Sequence, residues 1–221
     1  NLFMFSYEAS RPNAGPTTAG SGNGYHCSGS GCPPGIPPAP AGTTLDATIA
    51  CSVQGVLPWF NVTPIEAEQT CDALGGFVCP QMDWQDACEA GNNCDLGYNP
   101  DGAQCRTPFP GTQFCNTRAF DFDGNPANGI QDGLLETGST LLSGCAADGT
   151  SRAQQDPCSF DITGHRRERT QIGSSAYILM GGAYNTENLG GAFCDFDFYA
   201  VNNTFRLQDT GFRCCYDIDP R

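Results

Sequence analysis

The chain has 221 residues, a formal net charge of −14 and no lysine, so that its positive charge comes from ten arginines. Negative charge of this size argues against nucleic acids and anionic membrane surfaces as partners, because both are bound through basic patches. No apolar run approaches the roughly 18 residues that predict a membrane-spanning helix, and the 28 glycines and 16 prolines favour turns over long helices.

Residues 2–7 (LFMFSY) are apolar and aromatic, which is typical of a short buried strand. Residues 11–44 differ in composition, because Gly, Pro, Ser and Thr dominate and a periodic apolar pattern is missing. This composition predicts an irregular surface loop. A small disulfide ring between Cys27 and Cys32 would hold part of this loop in place.

Two helices are predicted in the first half of the chain. Residues 63–74 (TPIEAEQTCDAL) begin with a capping box, formed by Thr63 and Glu66, and Pro64 suits the first turn. Residues 81–90 (QMDWQDACEA) predict a second, shorter helix. The apolar face expected for the first helix consists of Ile65, Ala67, Cys71 and Leu74.

The second half is predicted to be loops with a few strands. Residues 176–180 (AYILM) predict a buried strand, and residues 205–207 and 211–216 predict a final strand region. Two early helices, scattered short strands and long loops tied by disulfides make one α+β domain over residues 1–221.

Fourteen cysteines are the most specific feature of the composition. Their number is even and their spacing is scattered, which indicates a disulfide framework of the kind that persists only in oxidising compartments. Paired Cys-x-x-Cys motifs are missing, which disfavours zinc, and the lack of Cys-x-x-Cys-His excludes c-type haem. We therefore expect an exported protein, extracellular, on the cell surface or in the periplasm, whose leader has been removed.

Three segments, residues 51–88, 160–169 and 178–215, occur in an order that resembles the formylglycine-generating enzyme family, also called sulfatase-modifying-factor domains. They are most similar to its Cys-rich exported bacterial members. The resemblance covers residues 1–10 and 50–216. It implies a variant of the C-type lectin fold, with little regular structure, a central helix pair and closing strands near the C-terminus.

The resemblance also implies disulfide pairs. It pairs Cys71 with Cys214 or Cys215, and Cys88 with Cys194. Proximity in the sequence suggests two further pairs, Cys94–Cys105 and Cys115–Cys145. Partners for Cys51, Cys79 and Cys158 are not assigned.

The oxidising enzymes of this family bind copper(I) through a pair of cysteine thiolates, which suit this soft ion. The resemblance places Thr186 where the first cysteine would stand, and a hydroxyl is a poor copper(I) ligand. Cys194 is the only cysteine nearby, and the implied disulfide uses it. We therefore expect no copper site of the known kind and no formylglycine formation.

A sister branch of the family holds iron through three histidines. This chain has only His26 and His165, so that this site cannot form without substitution by carboxylates. We expect His165 to be a surface or hydrogen-bonded structural residue.

Calcium is the expected cofactor. Asp121, Asp123, Asn125 and Asp132 place oxygen atoms in a pattern similar to a calcium loop, although Pro126 replaces the glycine that an EF-hand needs. A solvated turn is the alternative. The resemblance implies two structural calcium sites. The first consists of Asn116, Thr117, Asp132 and Leu134, and the second of Gly164, Arg166 through its carbonyl, and Glu168.

Three functions stay open. The first is a non-catalytic extracellular module that binds a protein or glycan partner, by analogy with other C-type-lectin-like domains. The second is a copper- or oxygen-dependent oxidoreductase with an unrecognised site near Cys194. The third is a subunit of a larger surface assembly that docks through the 11–44 loop.

Overall fold

The computed structural model describes residues 2–20, 50–89, 115–118, 120, 125, 127, 133–142, 145–147, 159–174, 176–186 and 189–219. The expected Cys27–Cys32 and Cys94–Cys105 pairs, Asp132, Cys158 and most of the 11–44 loop lie outside these residues. In chain order the helices and strands are β1 (Phe3–Met4), α1 (Pro64–Ala73), β2 (Phe77–Val78), α2 (Gln81–Cys88), β3 (Ala146–Ala147), β4 (Ser159–Phe160), β5 (Arg167–Ile172), β6 (Ala176–Met180), β7 (Asp197–Val201), β8 (Thr210–Phe212) and β9 (Cys214–Tyr216).

Both predicted helices are present, and local signals define the first of them. Thr63 caps α1, with its hydroxyl accepting from the backbone N–H of Glu66 at 3.2 Å, and the Glu66 carboxylate accepts in turn from the N–H of Thr63 at 2.7 Å. Ala67 and Cys71 face the core as expected. Ile65 does not, since it is 42% exposed, because Pro64 takes the buried position one residue earlier.

The strands form three small sheets. The largest has the order β7-β6-β5-β8, in which β5 pairs antiparallel with β6 and parallel with β8. A second sheet places β9 between β1 and β2, and β3 pairs with β4. The α+β class is therefore confirmed. The strand expected at residues 205–207 is absent, and the backbone there is loop.

Four disulfides join the described cysteines. Cys71 bonds Cys214 and Cys79 bonds the adjacent Cys215, so that β9 is tied to α1 and to the segment after β2. Cys88–Cys194 and Cys115–Cys145 complete the set. Cys51 has no disulfide partner among the described residues. Such bonds form and persist in oxidising compartments, which agrees with an exported protein.

The described helices were compared with the length and apolar character of membrane-spanning helices. None in the described part of the chain combines the length with the apolar character that crossing a bilayer requires.

Candidate functional site

A cluster of charged side chains lies in the middle of the fold. We call it the polar core; it consists of Glu8, Asp161, His165, Glu168 and Arg213, each at most 2% exposed. These residues come from the N-terminal segment, the turn before β5, β5 itself and the link between β8 and β9. Burial of charge at this density is stable only when the charges are paired and hydrogen-bonded.

His165 connects three segments of the chain. Its Nδ1 lies 2.6 Å from the Glu8 carboxylate, and its Nε2 lies 2.7 Å from the carbonyl oxygen of Leu135. Its backbone N–H donates to the carbonyl of Asn116 at 2.6 Å. Because both ring nitrogens face acceptors, the doubly protonated imidazolium fits this position best. His165 is thus the hydrogen-bonded structural residue that was one of the two expectations, and it is buried.

Glu168 and Arg213 form the second half of the polar core. The Nε of Arg213 donates to one Glu168 oxygen at 2.7 Å, and the indole N–H of Trp84 donates to the other at 2.9 Å. Arg213 also donates to the backbone carbonyls of Phe5 and Ser6. A single ion pair therefore joins β5, α2 and the N-terminal segment.

The pKa values follow from this burial. Burial raises the pKa of the Glu168 carboxyl, to about 7, against the opposing effect of Arg213. Burial also raises the pKa of Asp161. For His165, burial lowers the pKa, but the Glu8 carboxylate and Asp161 raise it by more, so that the net direction is upward. All three groups hold their protons more tightly in the folded chain.

The residues expected to bind calcium are partly brought together. Gly164 has a φ of +73°, and a Cβ at this position would lie 2.8 Å from the carbonyl oxygen of Asn116, so that the two predicted sites are neighbours. The Asn116 amide donates to the carbonyl of Gly133 at 2.9 Å, next to Leu134. Thr117 follows in the same turn.

At the second predicted calcium site both Glu168 oxygens accept hydrogen bonds, one from Arg213 and one from Trp84. The Arg166 guanidinium is buried, donates to the carbonyl of Gln208 at 3.2 Å and lies 4.9 Å from the ring centroid of Phe60. Burial lowers its pKa to about 10. The described residues contain no cluster of three or more His, Cys, Asp or Glu side chains that could hold a metal.

Thr186 and Cys194, the two residues considered for a copper site, both make structural bonds. The Thr186 hydroxyl accepts from the backbone N–H of Ala183 at 2.7 Å and closes the turn after β6. Cys194 is buried in its disulfide with Cys88. In this state Cys194 therefore has no thiol with which to bind a metal or attack a substrate.

A second feature lies at the edge of the largest sheet. We call it the aromatic surface; it consists of Phe196, Phe198, Tyr199 and Phe205. Phe198 and Phe205 pack against the buried cluster of Tyr177, Leu179 and Val201. Phe196 stacks edge-on against Phe198, with centroids 4.8 Å apart, and Tyr199 does the same against Phe205 at 5.8 Å. Phe198 and Phe205 thus support Phe196 and Tyr199, which are 40% and 47% exposed.

Charged groups surround these rings. Asp195 and Asp197 are exposed on either side of Phe196. The guanidinium of Arg167 lies over the Phe198 ring, 4.2 Å from its centroid, and pairs with the Asp209 carboxylate. Asn185 donates to the same Asp209 oxygen at 3.0 Å. The other Asp209 oxygen is buried and has no hydrogen-bond partner among the described residues.

Known proteins offer limited similarity. Neither a scan against protein-family models nor a search of curated proteins found a match. Among solved structures, CarF is 18% identical, with 76% of this chain and 69% of CarF covered and a TM-score of 0.43. The Treponema denticola variable protein 1 is 10% identical, with 80% and 74% covered and a TM-score of 0.43. Neither similarity identifies the family or the function of this chain.

The aromatic surface was not a candidate site in the sequence. The segment Asp195–Tyr199 contains a clear signal, an alternation of acidic and aromatic residues (DFDFY), but this pattern is also typical of a half-buried strand. The sequence therefore does not separate an exposed aromatic surface from an ordinary half-buried strand. The sheet order does, because it places β7 at an edge.

Proposed function

We propose that this chain is a non-catalytic extracellular binding module, a subunit that contacts a protein or glycan partner in a surface assembly, and that the aromatic surface is its contact face. The observation that carries the proposal is the pair of exposed rings, Phe196 and Tyr199, which pack edge-on against the half-buried rings of Phe198 and Phe205 at one edge of the largest sheet. Rigid aromatic side chains contribute large contact areas at low entropic cost, and they are enriched where proteins bind partners.

The architecture separates this face from the stabilising bonds. The disulfides and the polar core lie in the interior, where the cysteines of all four disulfides are at most 5% exposed. Of the two exposed rings, Tyr199 lies on β7 and Phe196 directly before it, and β7 pairs with β6 alone in the described sheet. A stable interior that positions binding groups at one edge is the arrangement that a binding module needs, since binding groups act best when a scaffold positions them.

The proposal extends the sequence resemblance. We infer a variant of the formylglycine-generating enzyme fold that has lost the copper pair, with Thr186 at the position of its first cysteine and Cys194 held in a disulfide with Cys88. The oxidoreductase alternative near Cys194 requires that this disulfide open first. We place the protein outside the cytoplasm, on a cell surface, in the periplasm or secreted, where its disulfides persist.

We propose calcium as a structural ion at the first predicted site. Asn116 and the neighbouring backbone carbonyls would supply oxygen ligands, together with Asp132, and the ion would order the turn that His165 also holds. At the second site Arg213 occupies the carboxylate, so that an ion there would compete with the polar core.

A binding panel tests the function. The purified chain is presented to immobilised glycans, anionic and neutral, and to peptides of basic, acidic and neutral composition, and binding is followed by interferometry. We expect at least one class to bind and the Phe196→Ala/Tyr199→Ala variant to lose that binding.

Met82→Ala serves as the matched control, because Met82 is 66% exposed on α2, outside the aromatic surface. It should bind as the unaltered chain does. Binding that survives in the double variant, or that both variants lose equally, would place the contact face elsewhere.

A further inference from the structure

Most of the described arginines are withdrawn from solvent. Four of the described arginines are buried: Arg11, Arg166, Arg169 and Arg213. Arg167 and Arg206 are half-buried and paired with Asp209 and Glu66. The acidic residues are distributed differently, since six of them are exposed among the described residues: Asp72, Asp86, Asp195, Asp197, Asp217 and Asp219. Among the exposed described side chains, these six carboxylates compare with one arginine, Arg118, so that the exposed surface of the described residues is strongly negative.

At the aromatic surface this negative charge meets exposed rings. Asp195 and Asp197 alternate with Phe196 and Phe198, and Tyr199 follows at once. The faces of aromatic rings attract cations, and carboxylates beside them add direct ion pairing. A guanidinium or ammonium group could therefore contact a ring and a carboxylate at the same time.

The chain already shows this kind of contact once within itself. Arg167 lies over the Phe198 ring and pairs with Asp209. The buried Asp209 oxygen that has no described partner is one further acceptor beside this arginine. Because this oxygen is withdrawn from solvent, the exposed carboxylate of Asp197 is the acceptor that a surface ligand can reach.

We infer that the partner of the aromatic surface is a basic protein segment, rich in arginine or lysine, whose side chains lie over Phe196 and Tyr199 and pair with Asp197. This inference rests on the proposed binding function and narrows its partner class from protein or glycan to a cationic peptide. Charge complementarity of this kind favours fast association and makes the affinity depend on salt.

The test uses two synthetic peptides of about ten residues, one with four arginines and one in which glutamine replaces each arginine. Binding is measured by fluorescence anisotropy at low and high salt. We expect the arginine peptide to bind, and Phe196→Ala/Tyr199→Ala to weaken it roughly tenfold, as the loss of two cation–π contacts predicts.

Charge-matched variants separate specific from general attraction. Asp197→Asn and Asp86→Asn each remove one exposed carboxylate, the first at the aromatic surface and the second on α2. Asp197→Asn should weaken binding several-fold and Asp86→Asn by less than about twofold. Equal losses in the two variants, or an undiminished affinity in the aromatic double variant, would overturn the inference.

Different results would contradict the binding function of the aromatic surface and the basic nature of its partner. If the arginine peptide does not bind while a glycan or a neutral peptide does, and the double variant abolishes that binding, the basic partner is wrong and the binding function stands. If nothing in the panel depends on the aromatic surface, both are wrong.

Discussion

The polar core and the aromatic surface both combine charges with aromatic rings, but the first buries and pairs them whereas the second exposes them to solvent. In the polar core Glu168, Arg213 and Trp84 are fully buried and satisfy one another. At the aromatic surface Asp197 and Tyr199 face solvent. Buried charges that are paired hold segments in register, whereas exposed ones cost little to leave unpaired and are available to a partner. Stability and binding should therefore respond to different residues.

The largest effect should come from breaking the buried ion pair. Glu168→Gln, measured at about pH 8 where the Glu168 carboxylate is ionised, leaves Arg213 buried without its counter-charge, so that the free energy of unfolding should fall by roughly 3–5 kcal/mol. Urea unfolding followed by circular dichroism measures this. The exposed control Asp86→Asn should change it by no more than about 0.5 kcal/mol. A small effect of Glu168→Gln would mean that the polar core does not hold the fold together.

Removal of the Cys71–Cys214 bond should rank second. The bond closes a loop with a sequence separation of 143 residues, and its replacement by two alanines should lower the free energy of unfolding by roughly 2–5 kcal/mol. Cys51→Ser, at a cysteine without a described disulfide partner, is the matched control and should change it far less. A comparable loss in both variants would indicate that Cys51 has a disulfide partner elsewhere in the chain.

Calcium should stabilise the chain if the first predicted site binds it. At a calcium concentration of 100 times Kd, mass action contributes about 2.7 kcal/mol. The melting temperature should rise with calcium, fall with chelator and lose this response in Asn116→Ala. Because that variant also removes the hydrogen bond to Gly133, the response to calcium, not the absolute melting temperature, is the measurement. An unaltered melting temperature in both solutions would remove calcium from the first site.

A pH series sharpens the comparison, because three groups of the polar core have raised pKa values. The folded chain raises the pKa of Asp161, His165 and Glu168, the last to about 7. The stability that these protons contribute is complete below the unfolded pKa values and is lost as pH rises through the folded ones. The free energy of unfolding should therefore decline from about pH 5 to pH 8, and less steeply in His165→Gln. A rise over this range would contradict the assignment.

Local signals in the sequence were enough for part of this fold. The capping box predicts the start of α1, and the apolar run AYILM predicts β6. The α+β fold class agrees with what the sequence indicated. The same holds for three disulfides that the sequence and its resemblance suggested: Cys71–Cys214, Cys88–Cys194 and Cys115–Cys145.

The rest depends on contacts between distant residues. The charged sequence RERTQI of β5 suggested metal ligands, but the segment is a central strand. Its buried Glu168 accepts hydrogen bonds from Arg213 and Trp84, which are 45 and 84 residues away in the sequence. No local pattern contains that information. The aromatic surface was missed for a related reason, since the sheet order, not the composition of β7, leaves its rings exposed.

The most direct test of this account measures unfolding and binding together on two variants. Glu168→Gln should lose stability, by roughly 3–5 kcal/mol, and should still bind the arginine peptide at temperatures where it remains folded. Phe196→Ala/Tyr199→Ala should lose binding about tenfold while its free energy of unfolding falls by no more than about 1 kcal/mol. If the aromatic variant unfolds as easily as the Glu168 variant, or binds as well as the unaltered chain, the division between a stabilising core and a binding edge is wrong.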